Sequence, residues 1–176
     1  MKTLKGNSVT LRALEPTDLD FLYDLENDEG VWEVSNTTKP YSRYVLKQYL
    51  DNAHRDIFDV KQLRLVICTK EKIRPVGFVD LFNFSPRHRR VGVGIIIFAE
   101  ADRGKGMAAE ALDLLRNYAV IHLKVHQLYA NISEDNTRSI QLFEKQGYKK
   151  TGVKKDWMVT EQGFKDQWMY QLLVDL

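Results

Sequence analysis

Residues 94–115 read GIIIFAEADRGKGMAAEALDLL, an apolar run broken by charges and glycines and then resumed at helical spacing. Gly104 and Gly106 alternate with Arg103 and Lys105 where a strand should hand over to a helix. A helix N-terminus presents unpaired N–H groups and roughly half a positive charge. Glycines let backbone approach a ligand closely, and the two basic side chains add charge. Together these favour a phosphate or pyrophosphate. The competing reading is a tight loop with solvated basic residues.

Two familiar phosphate designs fit poorly. A Walker loop needs G-x-x-x-x-G-K-[ST], which is absent. Gly104, Gly106 and Ala109 match the dinucleotide fingerprint loosely, but that design opens the first unit of a parallel sheet, and this turn lies in mid-chain. Among acid–base candidates, Asp80 stands in the strand-like VGFVDLFNF, where alternation puts it with Phe78 and Phe82, opposite Val79, Leu81 and Asn83. A carboxylate there either borders a cleft, where it could bind an amine or act as a base, or is hydrogen-bonded within a covered sheet. Glu33, beside Trp32, is a second candidate base, or a plain surface residue. Cys68 in LRLVICT reads as a buried strand residue. His122 and His126 are spaced i,i+4 without an accompanying ligand cluster, so no metal site is expected.

These residues need positioning elements, and the pattern supplies an order. Ser8 to Ala13 alternates as a short strand, and Glu15-Pro16-Thr17-Asp18 starts a helix. Gly30 to Tyr41 reads as a loop around Trp32, after which Ser42 caps a second helix. Leu63 to Thr69, Val76 to Phe84 and Arg89 to Phe98 form three strands whose connections are too short for crossovers, hence an antiparallel meander. A helix from Gly106 to about Ile121 shows one apolar face, Gln127 to Ser133 is another strand, and Asn136 caps a helix stopping at Gly147. Two last strands flank Glu161-Gln162-Gly163.

Composition removes several classes. The chain has 176 residues, 28% charged and 44% hydrophobic, with a formal net charge of +2. That size suits one domain, and the charge gives no electrostatic case for nucleic acid. No apolar run approaches the roughly 20 residues of a membrane span. The opening MKTLKGNSVTLRAL lacks the apolar core of a signal peptide, and a single cysteine fits a reducing compartment. A cytoplasmic protein without a membrane or nucleic-acid partner is expected.

Arg103, Gly106 and Ala108 satisfy R/Q-x-x-G-x-G/A, the pattern of the GNAT superfamily of acyl-CoA-dependent N-acetyltransferases, which the chain resembles. VTLRALEPTDLDFLYDLEND resembles that family's first strand and helix, NTRSIQLFEKQGY its N-x-x-S-I helix, and DWMVTEQGFKDQWMYQLL its last hairpin. HRRVGVGIII followed by RGKGMA is similar to the branch of ribosomal-protein N-terminal and spermidine (diamine) acetyltransferases.

The resemblance implies one mixed α/β (α+β) domain over residues 1–176, with a central, mainly antiparallel, splayed sheet flanked by helices. It implies transfer of acetyl from acetyl-CoA, the cosubstrate, to a primary amine by direct attack in a ternary complex, without a metal. The acceptor would be a polyamine or diamine, a small amine or a peptide N-terminus. Backbone from Arg103 through Gly104, Lys105, Gly106 and Met107 to Ala108 would hold the pyrophosphate. Ile96, Ile97 and Phe98 would border the pantetheine arm, with Asn136 and Ser139 as further ligands. Phe143 stands where many relatives carry a Tyr that protonates the thiolate, so that role falls to Ser139, with Asp80 and Glu33 as candidate bases. Phe143 also supports the alternative, an acyl-CoA-binding regulatory module without turnover. Polyamine enzymes need several carboxylates, whereas WEVSNTTKPYSRY offers only Glu33 and includes Lys39 and Arg43. Arg87 to Arg90 could contact the CoA 3′-phosphate or be a solvated turn. Trp157, Trp168 and Tyr170 would be core or the surface of a homodimer or higher homo-oligomer.

Overall fold

Short connections force the middle of the chain into antiparallel neighbours, as the computed structural model shows; it describes residues 2–35 and 37–174. Strands β2 (Leu63–Thr69), β3 (Pro75–Ser85) and β4 (Arg90–Ile97) form the expected meander, with β1 (Val9–Arg12) on its outer edge. Helix α5 (Met107–Leu123) then crosses to β5 (Gln127–Ser133), which lies parallel to β4. The chain continues through α6 (Thr137–Lys145) into the hairpin β6 (Lys149–Thr160) and β7 (Gly163–Leu173). The seven strands run β1-β2-β3-β4-β5-β7-β6 in space. One mixed, mainly antiparallel sheet with a single parallel junction results.

Alternation divides the sheet into two faces. Val9, Leu11, Leu65, Ile67, Val79, Leu81, Val91, Leu128 and Ile132 meet Ala111, Leu115 and Ala119 of α5 and Phe143 of α6 in the larger core. Val66, Cys68 and Phe78 point the other way, against Leu22, Leu25, Val31 and Leu46. Each fully buried leucine contributes about 2 kcal/mol, so the second cluster fastens three helices to that face.

Those helices are α1 (Leu19–Glu26), α2 (Glu29–Ser35) and α3 (Arg43–Asp51). Glu15 and Asp18 make a reciprocal capping box before α1, and Arg12 grips Asp18 with two bonds of 2.7 Å. Ser42 Oγ accepts from Val45 N to cap α3. The expected loop from Gly30 to Tyr41 is corrected at its start, because residues 29–35 are helical. Asp28 Oδ1 accepts from Gly30 N at 2.9 Å, Val31 packs in the core, and Trp32 Nε1 donates to Glu26 O, an otherwise unpaired carbonyl at the end of α1. The short α4 (Ile57–Val60), opened by an Asp56 cap, had no pattern long enough to announce it.

Glu110, in the first turn of α5, ties that helix to the sheet edge. Its carboxylate accepts from Asn7 N, Ser8 N, Ser8 Oγ and Val9 N at 2.5–2.9 Å. Burial pushes its pKa up, but the Ser8 hydroxyl and the three N–H groups outweigh that and hold it below the usual carboxylate range. A folded value below the unfolded one gives stability that is complete above about 4.5 and is lost as pH falls through the folded value. Glu110→Gln should therefore lower unfolding free energy by about 1–2 kcal/mol at pH 7. Urea titrations should show its deficit against the parent shrinking below that pH; a pH-independent deficit would contradict the account.

Candidate active site

The turn after β4 is braced from three sides. Arg103 folds back, its Nε donating to Ile97 O at 3.0 Å and its Nη2 to Phe98 O at 2.9 Å, while its own N–H donates to Glu100 O. Arg74, beyond the β2–β3 turn, grips the buried Asp102 with two bonds of 2.8 Å and holds that carboxyl below its usual range. Glu110 fixes the start of α5 from the far side. With its ends tied down, the turn takes left-handed torsions at Gly104 (φ +74°) and Gly106 (φ +79°). A Cβ at either glycine would meet nothing within 4 Å, so the space above them is open. Among the described residues, the N–H groups of Gly104, Lys105, Gly106, Met107 and Ala108 find no protein acceptor. Five consecutive donors at a helix N-terminus, facing open space, suit a diphosphate. Met107 contributes backbone only, since its side chain is buried in the larger core.

Beside this turn the sheet opens. β4 and β5 pair only at Arg90↔Gln127, Val91↔Leu128 and Gly92↔Tyr129, and beyond those rungs they diverge. The Ile95–Ile97 end of β4 thus has β3 on one side and a gap on the other. Ile96 and Phe98 pack toward the smaller core and Ile97 toward the larger. Across the gap, Asn136 Oδ1 accepts from Ser139 N at 3.1 Å and caps α6. Among the described residues the Ser139 hydroxyl makes no hydrogen bond, although its residue is half-buried. Phe143 lies in the core with its ring 5.0 Å from that of Tyr148, edge to face. Burial pushes the Tyr148 hydroxyl well above its usual pKa, so it stays protonated.

On the face that carries α1 to α3, Asp80 sits opposite Gly94 of β4, next to the opening. Arg64 of β2 meets its two oxygens at 2.7 and 3.1 Å and turns its third nitrogen to Glu26 of α1 at 2.5 Å. The same guanidinium stacks 5.1 Å over the ring of Phe78. Phe82 lies across Gly92, where a Cβ would come within 2.3 Å of its ring, and meets Tyr129 of β5 at 5.9 Å, edge on. Half-buried Tyr129, Asn131 and Gln167 continue this floor beyond the gap. Glu33, on helix α2 instead of a loop, reaches Lys165 of β7 at 2.8 Å, and Lys165 also binds Asp135 at 2.6 Å. Asp80 and Glu33 are thus held by different cations on different elements.

The structure brings residues 103–108, the end of β4 and the start of α6 around one opening, with Asp80 on its rim. Arg87 to Arg90 are elsewhere. Seven residue steps of about 3.3 Å separate the two ends of β4, and Arg89 donates to Lys124 O. That group thus lies at the opposite end of β4 from the Gly104 turn. His122 meets Thr3 and His126 meets Val174 O, and among the described residues no group of three or more His, Cys, Asp or Glu could hold a metal. The residues missed from sequence are Glu26 and Arg64, and Arg64 had a detectable signal: the β2–β3 turn centres on Lys72, so equidistant Arg64 and Asp80 fall opposite each other.

Residues 8–149 match the family model described as an acetyltransferase (GNAT) domain. The chain is 33% identical over 148 residues to spermidine N(1)-acetyltransferase of Escherichia coli K12, covering 84% of this chain and 76% of that protein. Over 174 residues it is 26% identical to the uncharacterized N-acetyltransferase p20 of Bacillus licheniformis, covering 98% and 97% of the two chains. Among solved structures, spermidine N-acetyltransferase from Vibrio cholerae in complex with CoA and spermine superposes with a TM-score of 0.85 at 25% identity, covering 96% of each chain. A dodecameric form of the Vibrio cholerae enzyme gives 0.78 at 27% identity, covering 96% of this chain and 95% of that one.

An alanine at Gly104 or Gly106 needs a torsion that costs a side-chain-bearing residue roughly 1–2 kcal/mol. Gly106→Ala should weaken coenzyme A binding about tenfold by calorimetry and lower the melting temperature by a few degrees, because the left-handed torsion strains any side chain although nothing crowds the new methyl group. Unaltered affinity would show that the turn does not grip the ligand.

Proposed function

The chain belongs to the GNAT family of acetyltransferases and is an acetyl-CoA-dependent N-acetyltransferase, and on that premise we propose how its own residues carry the reaction. The observation that carries the proposal is the coincidence of five unpaired N–H groups with the opening between β4 and β5. The N–H groups from Gly104 to Ala108 hold the diphosphate of acetyl-CoA. The pantetheine arm follows the free edge of β4 at Ile96 to Phe98, which places the thioester near Gly94 and Asp80. Asn136 orients the first turn of α6 and offers its amide to the arm, while Lys105 adds charge at the turn.

The acceptor enters from the face of Asp80. Asp80 orients the amine and takes up the proton the amine sheds, directly or through water. The nitrogen lone pair attacks the thioester carbon in a ternary complex, the C–N bond forms, and the C–S bond breaks with its electrons left on sulfur. The Ser139 hydroxyl donates to that sulfur, the role that Phe143 cannot fill. Glu33 shapes the far rim through Lys165 and stays outside the proton path. No metal takes part. Positioned acid–base groups contribute typically 10²–10⁴-fold, and orientation can contribute more, so this arrangement works chiefly by placement. The relatives' names put spermidine among the acceptors to be measured. The buried, free Cys68 supports a reducing, cytoplasmic setting.

Trp157, Val159 and Phe164 of the last hairpin are 60–76% exposed on and beside β6, which ends the sheet. A sheet edge with exposed apolar side chains favours pairing with another copy, so light scattering should give a mass above that of one chain.

Thiol release from acetyl-CoA over a panel of amines tests the reaction. Asp80→Asn should lower kcat/KM about a hundredfold with coenzyme A affinity unchanged, and Ser139→Ala should lower kcat about tenfold. Binding of coenzyme A with no release for any amine would favour a regulatory module.

A further inference from the structure

Among the described residues, carboxylates on the acceptor face share cations two to one, whereas one cation there has no carboxylate partner. Glu26 and Asp80 share Arg64, and Glu33 and Asp135 share Lys165. Lys154 of β6 is different. Its half-buried ammonium donates to Asn131 Oδ1 at 2.9 Å and to Gln167 Oε1 at 3.3 Å, both neutral, and lies 4.9 Å over the Trp157 ring. Among the described residues no carboxylate comes within ion-pair distance of it. Asn131 follows the last β4–β5 rung by two residues on the face of Tyr129, so Lys154 places its charge at the far wall of the opening.

The opening thus has opposite ends. The Glu26–Arg64–Asp80 and Glu33–Lys165–Asp135 clusters each carry one carboxylate in excess of the cation, and Asp80 belongs to the near wall; the far wall presents Lys154, an ammonium held only by neutral oxygens. Asp80 and Asn131 flank β4 on either side, so two strand spacings put them at least about 10 Å apart. A linear polyamine bound at Asp80 would lay its distal ammonium against Lys154, a like charge. An amine with a carboxylate at its other end would find a partner at both walls.

We propose that Lys154 determines acceptor specificity, and that the acceptor is a primary amine carrying an anionic group, a carboxylate foremost, roughly 10 Å from the reacting nitrogen. This rests on the acetyl-transfer reading and on Asp80 as the amine's partner. It sets the chain apart from the relatives named for spermidine, whose sequences it shares at 33% identity or less.

Three acceptors of matched length isolate the far end: ω-amino-octanoate, ω-amino-octanol and octane-diamine, with spermidine as a fourth. Calorimetry with the coenzyme-A-loaded protein reads the Lys154 site whether or not acetyl moves, and thiol release reads the reaction. Carboxylate should exceed hydroxyl by about tenfold in affinity and in kcat/KM, with both diamine and spermidine last. Lys154→Met should erase the carboxylate advantage, costing the carboxylate compound more than the hydroxyl compound, with coenzyme A affinity unchanged, while Lys154→Glu should invert the order. Preference for octane-diamine or spermidine in the parent, or an equal loss for all acceptors in Lys154→Met, would overturn the proposal. Ordered binding without thiol release would uphold the Lys154 site and sink the transfer reading, so the two failures are distinguishable.

Discussion

A β-sheet that parts in its middle leaves backbone donors and acceptors on two inner edges without partners, and buried backbone groups are costly when unpaired. The divergence of β4 from β5 after three rungs is the constraint around which the other elements are arranged. β4 keeps its outer edge on β3 as far as Gly77↔Ile97, and β5 keeps its own on β7 along its whole length. Each lip is therefore rigid although the pair is open. At the mouth, Arg103 caps Ile97 O and Phe98 O, which the departing strand would otherwise strand. The inner edges that remain need a ligand with amide groups and extended shape. The N–H groups of the next turn need an anion. One molecule with both, joined at the right place, is acetyl-CoA.

Arginine serves this fold mainly as a brace. Arg12 on Asp18, Arg64 on Asp80 and Glu26, Arg74 on Asp102 and Arg103 on two carbonyls each use the planar fork of the guanidinium. The basic side chains that the sequence suggests as phosphate ligands are therefore partly committed elsewhere. Arg103 is the clearest case, since its guanidinium supports the turn by holding Ile97 O and Phe98 O. Anion recognition by backbone also explains why glycine is needed where lysine would have supplied charge.

The sequence carried most of the architecture because most of its signals are local. Leu63–Thr69 and Gln127–Ser133 begin and end where alternation puts them, and Ser42 and Asn136 cap the helices they were expected to cap. Two kinds of feature escaped. Helix α2 is seven residues long, too short for periodicity to rise above its glycine and serine, and it is secured by a tertiary bond from Trp32 to Glu26. The other kind is non-local pairing. That Lys154 reaches Asn131, or that Arg64 turns its third nitrogen to Glu26, depends on strand order and helix placement, which single-strand patterns do not contain. The glycine turn before α5 was legible because its signals lie in consecutive residues. The acceptor face was not, because its residues come from α1, α2 and five strands.

That difference bears on how the two halves of the site work. The cosubstrate half needs one conformation, fixed by φ values at two glycines and by ties from Arg74, Arg103 and Glu110. The acceptor half is lined by charged side chains from facing strands, and its balance depends on which residues those strands present. Asp80 shows the limit. A carboxylate has about four lone-pair sites, and Arg64 uses one on each oxygen. The remaining two can orient an incoming amine while Arg64 keeps the carboxylate from turning. A second amine at the far end of the acceptor would meet the Lys154 ammonium, while half-exposed Glu33 and Asp135 share Lys165. Since orientation outweighs proton transfer in a reaction of this demand, what the far end of the acceptor meets governs how often the near end is correctly placed.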